Sequence, residues 1–394
     1  MKQRRGVRLI VFPKHVIGAG SMLYRKTKQA MTNYFNLNAG LLLILSLLLL
    51  LGQSCVNKAQ APASKPYHVV RGETMGTYYQ LRYSGDERRR LKAEVDSLLE
   101  VINLEVSTYI PHSTISRFNQ TVEPFSLSYN PIVQEETADY DNPHFKQNLK
   151  RSKEIYDQMD GFYDPTVMPL VNYWGFGYTE KRKVTEVDSV KIDSLIALVG
   201  FNKISWNQDE NLLAKAQQGV QLDFSSCAKG YGVDVVAEFL AGQGVEDYMV
   251  EIGGEVVVKG KNPKGKDWSI AVSLPREGAG LQEFQTILEL KDIAVATSGN
   301  YRIFYEVEGE KYAHIISPLT GFTEKSNLLS VSVLAADCQT ADAYATAFMV
   351  MGLDQSLAFA NQQSDIEAYF IVSKPDGSMA ISYTEGIPEY LKDL

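Results

Sequence analysis

Asp342 and Thr346 stand four residues apart in the run Ala341-Asp342-Ala343-Tyr344-Ala345-Thr346. If that run is helical, their oxygens share one face. A carboxylate with a hydroxyl is a hard-oxygen pair of the kind Mg²⁺ takes, with water and phosphate oxygens filling its other positions. The plainer reading is an acid complementing a helix dipole beside a packed threonine. A denser constellation is Asp223-Phe224-Ser225-Ser226-Cys227-Ala228-Lys229-Gly230-Tyr231-Gly232. It puts a carboxylate at a strand end, two hydroxyls in a turn, and a lysine at the opening of a glycine-containing helix. Helix N-termini and lysine together favour phosphate; the alternative is a solvated lysine on a helix.

Gly253-Gly254 and Thr297-Ser298-Gly299 each follow an apolar strand, where backbone either approaches a ligand or simply turns. His314, in Tyr312-Ala313-His314-Ile315-Ile316-Ser317-Pro318, ends a strand, and a lone strand histidine serves structure as readily as catalysis. Gly260-Lys261-Asn262-Pro263-Lys264-Gly265-Lys266-Asp267 imitates a phosphate loop but ends in Asp, without the hydroxyl that Mg²⁺ needs. It reads instead as a basic hairpin loop between two strands.

These residues must be positioned by an ordered body. The 394 residues are 45% hydrophobic and 22% charged, a globular composition with ample core. The formal charge of −8 is uneven. Residues 1–54 hold eight Lys and Arg and no acid, so the other 340 residues hold 31 basic against 47 acidic side chains. An acidic body without basic blocks argues against nucleic acid as a partner.

The basic start runs into an apolar stretch, Ala39 to Leu51, of signal-peptide length and too short to span a membrane as a helix. Residues 1–54 therefore read as a signal peptide, and Gly52-Gln53-Ser54-Cys55 resembles a bacterial lipoprotein cleavage site with Cys55 as the acylated residue. An uncleaved anchor and a plain signal peptide are the other readings, and Met22 and Met31 are alternative starts. Residues 55–66 form a polar Ala/Pro tether, and a folded domain covers 67–390. The lipoprotein reading implies export and a membrane anchor facing the periplasm. Cys227 and Cys338 permit one disulfide or two buried thiols.

Within the body, periodicity predicts a strand pair over Val69–Tyr83 broken at Gly76, and a helix over 93–104. Further helices are predicted from Asn142-Pro143, over 187–199, from Lys229 to Leu240, and at about 340–351 and 354–362. Strands are predicted at Tyr248–Ile252, Glu255–Val258, Trp268–Leu274, Thr286–Leu290 and 367–373. A hairpin pairs Arg302–Val307 with Lys311–Ile316. Residues 120–142 look like an insertion. The sum is an α+β fold: a single large domain of mixed, largely antiparallel sheets with flanking helices.

Taken in order, several segments resemble the ApbE family of flavin transferases. They are Thr74-Met75-Gly76-Thr77, Ser107-Thr108-Tyr109, Ser116-Arg117-Phe118-Asn119, Gly161-Phe162-Tyr163-Asp164-Pro165-Thr166 and Trp174-Gly175-Phe176-Gly177. The segment Asp223–Asp234, Ile252-Gly253-Gly254-Glu255, Thr297–Tyr301, His314–Gly321 and Ala341–Thr346 complete the series. The resemblance implies Mg²⁺-dependent transfer of FMN from FAD to a Thr or Ser hydroxyl of an acceptor protein, respiratory-complex subunits among them, with release of AMP. It implies Asp342, Thr346 and the Ser226 carbonyl as metal ligands. Met75, Tyr109, Phe162, Tyr163, Asp164, Asp223, Lys229 and Ile316 would touch FAD, and His314 would take the acceptor's proton.

Two departures stand out. The family's His-Ile-Ile-Asp-Pro-Arg-Thr-Gly has Ser317 and Leu319 here, removing a carboxylate and a cation beside His314. Ser225 and Ser226, followed by Cys227, stand where the family commonly has small glycines. A Mg²⁺-dependent FAD pyrophosphatase and a non-catalytic flavin-binding lipoprotein are the rival readings.

Overall fold

Eight strands rich in apolar residues build the central sheet of this computed structural model, which describes residues 65–179, 183–276, 283–301 and 303–392. The leader, Cys55 and nearly all of the tether lie outside the described residues. In chain order the strands are β1 (Tyr67–Thr74), β2 (Thr77–Ser84), β3 (Tyr248–Ile252), β4 (Glu255–Lys259), β5 (Ile293–Gly299), the hairpin pair β6 (Phe304–Val307) and β7 (Glu310–Ala313), β8 (Leu328–Ala335), β9 (Ile366–Ser373) and β10 (Met379–Tyr383). The main sheet runs β1-β2-β3-β4-β5-β8-β9-β10, with every neighbouring pair antiparallel.

One face of this sheet carries helices α1 (Leu91–Val106), α2 (Pro143–Gln158), α3 (Ala228–Gly242), α4 (Cys338–Met351) and α5 (Leu353–Ala360). Strand pleating assigns side chains to faces. Val250, Ile252, Ala294, Ala296, Val331 and Val333 join the helical core. Met249, Val256, Val258, Val295 and Leu334 point the other way, against the antiparallel pair 268–273 and 284–290. The loop 260–267 therefore crosses from the main sheet to this second layer and closes no hairpin, because the strands it joins pair with other partners.

Helix α4 is apolar nearly all round, with Ala341, Ala343, Ala345 and Ala347 fully buried, the pattern of a central helix. Its N-terminus is tied down twice. Asp337 accepts the Thr340 amide at 2.8 Å, and Asp234 of α3 accepts the Cys338 and Gln339 amides at 2.8 Å each. Helices α3 and α4 approach so closely that a Cβ on Gly230 would lie 2.2 Å from the Cys338 carbonyl oxygen.

Several expectations change. Asn142 does not cap α2 through its side chain; it bonds the Leu127 and Tyr129 carbonyls, and Glu105 of α1 accepts the Phe145 amide at 2.8 Å instead. The helix expected over 187–199 is regular only over Ser189–Ile196. Strand β7 stops at Ala313, so His314 lies just beyond it. The 120–142 stretch forms short strands, of which Phe125–Ser126 pairs with Leu212–Lys215. Strands β8 and β10 have no counterpart in the sequence reading, although β8 lies between β5 and β9 and β10 ends the sheet beyond β9. Cys227 and Cys338 are separate buried thiols, not a bridge.

Candidate active site

The site forms where the first turns of α3 and α4 face each other across the ends of β4 and β5. The Gly230 amide donates to Asp342 Oδ2 at 3.0 Å. In a helix begun one turn earlier that amide would bond the Ser226 carbonyl, which here has no backbone donor among the described residues. Lys229 Nζ lies 3.8 Å from Asp342 Oδ2 and 3.3 Å from Glu255 Oε1. Thr346 Oγ1, one turn beyond Asp342, sits 3.2 Å from Ser298 Oγ on β5.

Electrostatics follow from this burial. Asp342 is pushed up to about 7, first by burial and also by Glu255, with Lys229 opposing. Lys229 is held well above the ordinary lysine value, because the two carboxylates outweigh its burial. Neutralising such a carboxylate is what a hard cation does. Asp342 Oδ1, Thr346 Oγ1 and the Ser226 carbonyl are all oxygen donors and fit Mg²⁺ in kind. Among the described residues no group of three His, Cys, Asp or Glu is arranged to hold a metal, so any site here rests on one carboxylate with neutral oxygens.

His314 belongs to the same neighbourhood. Burial lowers its pKa below the usual 6.5, and the charge of Lys229 lowers it further. Its Nδ1 faces the Ile303 carbonyl at 3.2 Å. A carbonyl only accepts, so Nδ1 carries the proton and Nε2 keeps a lone pair. Phe176 stands edge-on to the ring at 6.4 Å, at one end of a stack with Tyr305, Tyr312 and Trp174.

The remaining predicted residues divide by what they touch. Tyr109 is 62% exposed and donates to the Phe176 carbonyl at 3.3 Å. Asp223 is closed on itself by the Ser225 amide and hydroxyl at 2.9 and 2.8 Å. Asp164 likewise binds the Thr166 amide and hydroxyl at 2.8 and 2.6 Å, so its side chain holds a turn.

Tyr163 is buried. Its hydroxyl lies 3.1 Å from Ser152 Oγ and accepts from Ser226 Oγ at 3.2 Å, fixing the turn before α3. Phe162 packs half-buried on the helical core. Ile316 is buried with Trp174 and bridges to Thr323. Met75 takes φ 50° in the two-residue turn with Gly76, a left-handed conformation that costs a bulky residue energy. A Cβ on Gly232 would lie 2.9 Å from the Met75 methyl, so the Met75 side chain packs directly on α3 at this glycine.

Three participants escaped the sequence reading as individuals: Glu255, Ser298 and the buried Glu105. The signal for Glu255 was a charge opening the apolar run Glu255-Val256-Val257-Val258 directly after two glycines. Ser317, in place of the family's carboxylate, is buried and accepts the Thr320 amide at 3.3 Å, while Leu319 is half exposed.

Comparison with known proteins agrees with this geometry. The FAD:protein FMN transferase of Vibrio cholerae is 37% identical over 343 residues, covering 86% of this chain and 94% of that protein. That of Haemophilus influenzae is 37% identical over 313 residues, covering 78% and 86%. The structure of the flavin transferase ApbE from Vibrio cholerae superposes with a TM-score of 0.71 at 35% identity, over 83% of this chain and all of that one. The ApbE family model matches residues 75–370, a span that takes in Met75, the α3 turn, His314 and the Asp342–Thr346 pair; this chain belongs to the ApbE family.

Proposed function

We propose that this protein is an FAD:protein FMN transferase that uses Mg²⁺ to move FMN from FAD to a Thr or Ser hydroxyl of an acceptor protein. The acceptor oxygen forms a bond to the FMN phosphorus, the bond from that phosphorus to AMP breaks, and AMP leaves with the electron pair. The observation that carries this reading is His314, held toward its neutral form by burial, with Nδ1 turned to the Ile303 carbonyl and the charge of Lys229 acting on it, in a chain with such relatives. His314 Nε2 takes the hydroxyl proton as general base. Lys229, at the opening of α3, faces the pyrophosphate with its positive charge. Asp342, Thr346 and the Ser226 carbonyl hold the cation, which when bound neutralises charge on the phosphate oxygens. Tyr109, exposed above Asp223, offers its ring as a stacking surface for the dinucleotide.

The sequence leader supports export, lipidation at Cys55 and a site facing the periplasm, where membrane-bound respiratory-complex subunits are suitable acceptors. The deciding experiment incubates the protein with FAD, Mg²⁺ and a candidate acceptor. Covalent flavin fluorescence on the denatured acceptor, with one AMP per flavin, is the expected result. AMP release indifferent to acceptor makes the protein a pyrophosphatase, and FAD recovered intact makes it a flavin carrier; either outcome overturns the transferase reading.

A further inference from the structure

Glu255 is 4% exposed, yet its two carboxylate oxygens differ in their surroundings. Oε1 lies 3.3 Å from Lys229 Nζ, while Oε2 is buried without a hydrogen-bond partner among the described residues. Leaving an oxygen of a buried carboxylate unpaired is costly, and so demands an explanation. The surroundings suggest what the spare oxygen is for. Lys229 spans two carboxylates, and its 3.8 Å distance from Asp342 Oδ2 puts it where it competes with a divalent cation on that residue. Like charges so close repel strongly in a buried site. An ion arriving at Asp342 therefore displaces the ammonium, and the displaced group has two destinations. It can swing to solvent, since the Lys229 side chain is 29% exposed, or move fully onto Glu255.

We propose that Glu255 is a positioning residue that receives the Lys229 ammonium on both carboxylate oxygens when a divalent cation occupies Asp342. Lys229 then stays in the site as a positive charge beside the ion instead of competing with it. This inference rests on the metal reading of Asp342 given above. The anchoring is local: Glu255 opens β4 opposite Ile252 across the Gly253-Gly254 turn, and Lys229 is fixed in the first turn of α3. Gly253 takes φ 64°, and a Cβ there would lie 2.8 Å from the Thr77 methyl, so glycine fixes the turn that presents Glu255.

The test uses Mn²⁺ alone as the probe, titrated into flavin-free full-chain protein and followed by the paramagnetic signal of the free ion. Replacing Glu255 by Gln leaves Lys229 with Asp342 as its one carboxylate, and should weaken Mn²⁺ about tenfold, as removal of an outer partner of a metal site does. Adding Lys229→Met to Glu255→Gln should restore affinity to the wild-type level or better, because the competitor is gone. Lys229→Met alone should bind Mn²⁺ more tightly than wild type, a readout that does not depend on the Gln variant folding. A double variant as weak as Glu255→Gln overturns the proposal, since Glu255 would then act on the ion without Lys229. So does a Lys229→Met affinity equal to or below wild type. Asp342→Ala is the separate control: if it binds Mn²⁺ like wild type, the metal reading itself falls and takes this inference with it.

Discussion

At the scale of single residues, protonation decides the chemistry. His314 has its pKa below 6.5 because burial and the Lys229 charge both disfavour imidazolium. A depressed histidine pKa means the base form is present at neutral pH and is lost only as pH falls through the lowered value. With Mg²⁺ high enough to keep Asp342 ionised, FMN transfer should therefore decline as pH falls through that lowered value. His314→Ala should slow transfer about 10²–10⁴-fold and erase the decline. A variant with wild-type rate and pH profile would remove His314 as the base. The histidine was legible from its motif, but its tautomer was not, since that depends on Ile303, eleven residues away in sequence and adjacent only through the hairpin.

Elements set those residues in place, and here the constraints are steric and capping ones. The crossing of α3 over α4 depends on Gly230, whose amide also reaches Asp342. Gly230→Ala forces a methyl against the Cys338 carbonyl, an overpacking that should cost about 3 kcal/mol. A thermal melt reads this directly, and an unchanged melting temperature would contradict the close approach. A second device is Glu105, fully buried on α1, which accepts the Phe145 amide at the start of α2 and the Tyr140 hydroxyl at 2.9 Å. Burial lifts it from 4.5 to about 7 against those hydrogen bonds. The unfolded chain loses this proton first, so stability from this group is full below 4.5 and declines as pH rises to about 7, by at most about 3 kcal/mol. Glu105→Gln should flatten that slope in denaturant titrations between pH 5 and 7; a slope that persists would assign it elsewhere. Helix positions were readable from periodicity, whereas this cap was not, because it comes from a different helix.

For the molecule as a whole, charge and address matter most. The leader is basic without a single acid, and the remaining body is acidic with 31 basic against 47 acidic residues. An anionic dinucleotide must therefore be received by local exceptions, of which Lys229 is one. If Cys55 is lipidated, Cys55→Ala should shift the protein from the membrane to the soluble fraction of the cell envelope, while its FMN transfer to a soluble acceptor is unchanged. Equal membrane recovery of both forms would show that something other than Cys55 anchors the chain.

The sequence by itself located helices α1 to α5 and most strands of the main sheet, since apolar period and glycine turns act locally. Its ordered motifs also identified the candidate chemistry of Asp342, Thr346, Lys229 and His314. Tertiary structure alone decided which side chains oppose one another. Strand β8 escaped notice although Ser330-Val331-Ser332-Val333 alternates as a half-exposed strand does; only the fold shows that both serines are buried as well. Glu255 became part of the site only when antiparallel pairing brought the start of β4 to the first turn of α3. Burial then gave Asp342 its raised pKa and left Glu255 with an oxygen to spare, and no local pattern of residues encodes how much water a fold excludes.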